Sequence, residues 1–191
     1  MSVVAIRRYD FEIEIASDSI SLRGDKIMSD KSQKIFLFGD FVVCFIGECR
    51  FKNYITYLLA SSESEEERTY IERIDEIYEP VELAKIVKEM VNSYLNFYEY
   101  SKNKYGYYDL EAEIIFVING VIYNIVFYDD KPFEVSILTK NFFAMGCGEE
   151  YAMGAMANGA SPKTAIECII PLINNIGGDV KEIIIPLELP F

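Results

Sequence analysis

The stretch MSVVAIRRYDFEIEIASDSISLRGDKIMSDKSQK, residues 1–34, decides how this chain reads. Val3 to Arg8 and Phe11 to Ala16 are two expected strands. In the second, Phe11, Ile13 and Ile15 alternate with Glu12 and Glu14, the period-two pattern of a half-buried strand. Asp18 follows at once in Ala16-Ser17-Asp18. Lys34 opens the next expected pair, Lys34 to Phe38 and Phe41 to Ile46, which turns at Gly39-Asp40. In a meander of these strands, Asp18 and Lys34 lie beside the start of the chain, where Ser2 stands.

The start matters because the chain contains no histidine. That excludes Ser-His-Asp and Cys-His mechanisms, histidine metal ligands and an imidazole pH switch. A serine hydroxyl still needs a base to become a nucleophile. The chain's own α-amino group is one solution, since its ordinary pKa of about 8 leaves a large share neutral near neutral pH. This solution demands a nucleophile at the mature N-terminus, and a residue as small as Ser2 favours removal of Met1. A retained Met1 would block the amine. A lysine beside the amine and hydroxyl lowers their proton affinities, and Asp18 would fix and neutralise Lys34. Gly47 ends the strand after Lys34. Without a side chain it lets a substrate carbonyl approach, and its N–H is a candidate oxyanion donor.

At 191 residues the chain is expected to be a single domain, 1–191. Its 31 acidic and 18 basic residues give a net charge of −13. That argues against nucleic acid or an anionic membrane as the main partner. The four cysteines form no CxxC pair, and Cys44 and Cys168 sit in apolar stretches. The opening residues carry no apolar signal region. The apolar run Ile114 to Tyr128 is broken by Asn119-Gly120, a type I′ hairpin signal rather than a membrane span. A reduced, cytoplasmic protein is expected.

Along the rest of the chain, Cys49 to Ala60 reads as a helix. Residues 61–79 form an acidic insertion, expected to be a solvated loop or exposed short helix, or else a partner contact. Pro80 opens an amphipathic helix to about Lys102. A hairpin over 112–128 and strands at Phe133 to Leu138 and Phe142 to Met145 follow. A helix from Gly146-Cys147-Gly148 stops at Asn158-Gly159. Ser161-Pro162 opens another, expected to stop at Gly177-Gly178, and Glu182 to Leu187 is a last strand. This order predicts an α+β fold of two stacked antiparallel sheets covered by helices. Arg7 and Arg8 read as strand-surface charges.

Several of these residues together resemble the proteasome β-subunit family of N-terminal-nucleophile (Ntn) hydrolases, most like its bacterial, HslV-type branch. The resemblance covers nearly the whole chain. It rests on Val4-Ala5-Ile6-Arg7-Arg8, Ala16-Ser17-Asp18, Lys34 ahead of a hairpin and Phe45-Ile46-Gly47. It continues in Met145-Gly146-Cys147-Gly148-Glu149-Glu150-Tyr151-Ala152 and Gly178-Asp179. The family separates nucleophile, aspartate and lysine by 16 residues each, as Ser2, Asp18 and Lys34 are here. The resemblance implies a four-layer αββα sandwich and a peptidase with Ser2 as nucleophile, Asp18 and Lys34 as charged pair and Gly47 as oxyanion donor. It implies that Cys147 stands where the family often has a serine supporting the amine, and Asp179 where it has an aspartate near that amine. It further implies peptide or unfolded-protein substrates, a homo-oligomeric ring and an ATP-dependent unfoldase partner, with no cofactor and no metal.

The sequence also departs from the family. The usual nucleophile is threonine, whose methyl helps to lock the rotamer. Aligning on Arg7-Arg8 without a gap puts Met1, not Ser2, at the nucleophile, and a gap near Tyr9-Asp10 restores Asp18 and Lys34. Glu182 replaces a small polar residue. A catalytically inactive ring subunit and a small-molecule amidase on the same fold are the alternatives.

Overall fold

The computed structural model describes residues 2–23, 26–61, 69–99, 110–128 and 133–187. In chain order the elements are β1 (Val3–Arg8), β2 (Glu12–Ser17), β3 (Ser21–Arg23), β4 (Lys26–Ser29), β5 (Ile35–Phe38), β6 (Phe41–Gly47), α1 (Cys49–Ala60), α2 (Tyr70–Asp75), α3 (Pro80–Phe97), β7 (Ala112–Ile118), β8 (Val121–Val126), β9 (Glu134–Ile137), β10 (Phe142–Gly146), α4 (Glu149–Ala157), α5 (Pro162–Ile169) and β11 (Lys181–Pro186). They fall into two compact units, Met1–Ile35 with Thr139–Phe191, and Phe36–Leu138.

The first unit is built on a four-stranded antiparallel sheet in the order β10-β1-β2-β11. Ala144, Ala5 and Ala16 lie side by side across β10, β1 and β2. With Val3 they form a row of small side chains under α4 and α5, against Ala152, Met156, Ala165 and Ile166. Small residues on both surfaces let the helices approach the sheet closely. On the opposite face of β1, Val4 and Ile6 are buried as well.

The second unit has a five-stranded sheet in the order β5-β6-β7-β8-β9. Period-two alternation sends Phe41, Val43 and Phe45 of β6 and Ile114, Phe116 and Ile118 of β7 to one face. There they meet Phe51 and Ile55 of α1 and Leu83, Val87, Met90 and Tyr94 of α3 in one apolar core. The Asn119-Gly120 turn has both residues at positive φ, 50° and 75°, as a type I′ hairpin requires.

Several sequence expectations needed correction. Helix α5 ends at Ile169, not at Gly177-Gly178. Pro171 has no N–H to continue the ladder, and turns take the chain onward. Helix α3 stops at Phe97 rather than Lys102. Glu99 has φ 52°, a left-handed residue that ends the helix, and residues 100–102 lie outside the described residues. The β3–β4 ribbon was not foreseen, because Lys26, Ile27 and Met28 are all exposed and so lack an alternating pattern. Within 61–79, α2 is not wholly solvated. A capping box from Thr69 and Glu72 starts it, and Ile74 and Ile77 anchor it in the core. Residues 62–68, most of the acidic run, lie outside the described residues.

Candidate functional site

The first unit gathers its polar groups at one end of β1 and β2. Asp18, the residue after β2, is fully buried and accepts four hydrogen bonds. Its Oδ1 takes the Val3 N–H at 2.9 Å and the Lys34 ammonium at 2.5 Å. Its Oδ2 takes the N–H groups of Ile20 and Gly177, each at 3.3 Å. Lys34 is only 4% exposed. A carboxylate taken out of water needs such compensation, and here a cation and three backbone dipoles supply it. Because the Val3 amide and the Lys34 ammonium share one oxygen, the ion pair is tied directly to the residue that follows Ser2.

Ser2 is half-buried where the chain enters β1. Its carbonyl oxygen accepts the Cys147 N–H at 2.9 Å and the Cys147 thiol at 3.4 Å. Cys147 lies in the turn between β10 and α4, and its side chain is exposed. Gly148 allows that turn to close. A Cβ there would stand 2.5 Å from Ile176 Cδ1 and 3.3 Å from Val3 Cγ2. Ser2, Asp18, Lys34 and Cys147 are thus linked through Val3 and the Ser2 carbonyl. Asp179 is not among them. It is exposed, and its carboxylate faces Lys181 at 3.3 Å.

Gly47 belongs to the other unit, at the end of β6. Its φ is +119°, and a Cβ would run into the Glu111 carbonyl oxygen and lie 2.7 Å from Ala112 Cα. Only glycine fits this backbone. Cys44 in the same strand is fully buried, and burial pushes its thiol far above the ordinary range, so it is no nucleophile.

Sequence reading missed the support of Asp18. Gly177-Gly178 enters the sequence reading as a helix stop and Gly178-Asp179 as part of the resemblance, neither as a support of Asp18. In fact Gly177 donates its N–H to Asp18 and accepts the Ser19 N–H at 3.0 Å. Gly178, at φ +74°, presses against Ser19 Oγ and Asp30 O, where any Cβ would clash. The Ser19 hydroxyl in turn donates to Asp30 O at 2.5 Å and steadies the loop leading to Lys34. Paired glycines with serine and aspartate at a distance of many residues carry no local signal of this kind.

A sheet of four strands and a sheet of five, each antiparallel and each carrying helices, define an α+β fold with the Ntn-hydrolase, proteasome β-subunit-like architecture. The chain is similar over almost its full length to BPH from Thiobacillus denitrificans, at 20% identity, 97% of this chain, 98% of that chain and TM-score 0.71. A second BPH structure is a complex with epoxomicin. The chain is also similar to Anbu, an ancestral β-subunit from Yersinia bercovieri, at 16% identity, 96% and 81% coverage and TM-score 0.69. Eukaryotic HslV from Trypanosoma brucei matches at 12% identity, 95% and 98% coverage and TM-score 0.63. No family model matches the sequence, and no curated protein sequence does. Among the described residues, no helix is long and apolar enough to cross a membrane.

Proposed function

We propose that this chain is a proteasome-like peptidase whose nucleophile is Ser2, uncovered by removal of Met1, acting inside a homo-oligomeric ring in the cytoplasm. The observation that carries the reading is the buried Asp18–Lys34 pair, hydrogen-bonded to the Val3 amide next to Ser2. An ion pair this dry is weak evidence for stability, so its position beside a candidate nucleophile is what needs explaining.

In the proposed reaction the Ser2 hydroxyl oxygen attacks the peptide carbonyl carbon, and the hydroxyl proton passes to the Ser2 α-amine, directly or through a water. The oxyanion is met by a backbone N–H, for which Gly47 is the candidate. The tetrahedral adduct collapses, the C–N bond breaks, and the ammonium returns its proton to the leaving amine. Water then attacks the ester, giving up a proton to the amine, and the Ser2 oxygen leaves with a proton. Lys34 tunes the hydroxyl and the amine, and Asp18 holds Lys34. Cys147 supports the N-terminal residue through its carbonyl. An ATP-dependent unfoldase that feeds unfolded chains belongs to the same proposal.

The test combines intact mass of the mature protein, hydrolysis of fluorogenic peptides and labelling by epoxomicin. An epoxyketone closes on a hydroxyl and an amine held together, so it reports both groups at once. The expected result is a chain starting at Ser2 that is labelled, with Ser2→Ala abolishing labelling and hydrolysis. A mature mass that retains Met1 would establish the inactive subunit instead. A monomer by light scattering that hydrolyses only small amides would establish the amidase.

A further inference from the structure

We infer that Arg7 is a positioning residue for the Ser2 site, acting from the far end of α4. This rests on the reading of Ser2 as nucleophile, but its structural half stands alone. Arg7 is half-buried, not a free surface charge like its exposed neighbour Arg8. Its guanidinium donates from one nitrogen to two carbonyl oxygens at the C-terminal end of α4, Met156 O in the last turn at 3.1 Å and Ala160 O just beyond the helix at 2.8 Å. It also stacks 5.2 Å from the Tyr9 ring, whose hydroxyl donates to Glu14 at 3.0 Å and so buttresses it from β2.

The chain path makes this a grip on both ends of one helix. Strand β10 runs antiparallel to β1, with Gly146 beside Val3 and Phe142 beside Arg7. Helix α4 begins just after Gly146 and returns over the sheet, in the direction of β1, to finish at Arg7. The nine residues of α4 rise about 13 Å, and the four steps from Val3 to Arg7 advance about the same distance. So β1 holds α4 at its start through Ser2 O and Val3, and at its end through Arg7. The helix has no side-chain N-cap and no basic residue in its last turn. Arg7 supplies the missing cation at the negative end of the dipole, adding a charged donor to Met156 O, which already accepts the Gly159 N–H, and one to Ala160 O just beyond the helix. A slip of α4 along β1 would carry Cys147 off the Ser2 carbonyl and release the residue that must hold its hydroxyl and amine in line. A displacement of about 1 Å at such a group is enough to slow a reaction a hundredfold.

Arg7→Met and Arg7→Lys would be compared by amide hydrogen exchange and by steady-state peptide hydrolysis. Arg7→Met, which removes both charge-assisted bonds, is expected to speed exchange at the Cys147 amide by roughly tenfold, while amides of β7 are unchanged. It should lower kcat with KM nearly constant, because Arg7 touches no substrate. Arg7→Lys keeps the cation and is expected to restore most of both. Unchanged exchange at Cys147, or acceleration spread equally over the whole chain, would overturn the inference. Locally faster exchange in a protein that never cleaves peptide would uphold the grip on α4 and sink the Ser2 reading instead. If Arg7→Met does not fold, Arg7→Gln, which keeps an N–H donor without charge, gives the same comparison.

Discussion

Removing the Lys34 ammonium tests the Asp18 hub most directly. In Lys34→Met the carboxylate stays at zero exposure with the N–H groups of Val3, Ile20 and Gly177 still aimed at it. Breaking a buried pair from one side costs about 3–5 kcal/mol, because a charge is left behind without its counterion. Three remaining donors put Lys34→Met at the low end, about 3 kcal/mol. Asp18→Asn should cost more, about 4–5 kcal/mol. An amide can present only one oxygen, so its NH2 must face either the Val3 and Lys34 donors or the Ile20 and Gly177 donors. The assay is urea unfolding followed by far-UV circular dichroism, since the chain has no tryptophan. For a chain of this length, 3 kcal/mol corresponds to a fall of roughly 6–12 °C in Tm. In the double variant the losses should fall short of additive by about 2 kcal/mol, the signature of shared contact. Lys34→Met within 1 kcal/mol of wild type, or Asp18→Asn milder than Lys34→Met, would refute the account of Asp18 as a carboxylate held by four donors.

Other outcomes follow from single contacts. Gly47→Ala should destabilise by about 3 kcal/mol or more in thermal unfolding, since both the φ of +119° and the Glu111 backbone oppose a Cβ. Tyr123 is fully buried, and its hydroxyl has no partner among the described residues, so Tyr123→Phe should be neutral or stabilising by up to about 1 kcal/mol in the same assay. Burial raises the Asp75 carboxyl above its ordinary value, with the Asp40 charge adding to the rise. A raised folded-state value means that the folded chain holds this proton more tightly. Stability is therefore greatest below the ordinary carboxyl range and falls as pH rises through the shifted value. Asp75→Asn should remove that part of the pH dependence in Tm measured from pH 4 to 7, and be the more stable protein at pH 7.

The elements legible in the sequence were those with a periodic apolar face or a local turn or cap signal. Helix α1 was read with the bounds observed, because its apolar spacing and its flanks are local. The Asn119-Gly120 hairpin was legible because its turn chemistry is contained in two residues. Strands β3 and β4 were not, since a ribbon with no buried face leaves no pattern. The early end of α5 has a local cause in Pro171, six residues before the glycines taken as its stop.

The same division holds at the candidate site. The absence of histidine pointed to the N-terminal Ser2, and the spacing of Ser2, Asp18 and Lys34 singled the three out through the resemblance to the proteasome β-subunit family. Tertiary structure decided that Asp18 and Lys34 meet with almost no water around them. It also decided that the carboxylate's fourth donor, Gly177, comes from 159 residues away. Arg7 changed meaning for the same reason: its partners are two carbonyls more than 140 residues distant, brought to it by the pairing of β10 with β1. Sequence pattern reports which side chains want burial or a turn. Backbone donors have no pattern, since every residue but proline carries one, and only the folded path determines which of them a buried charge will find.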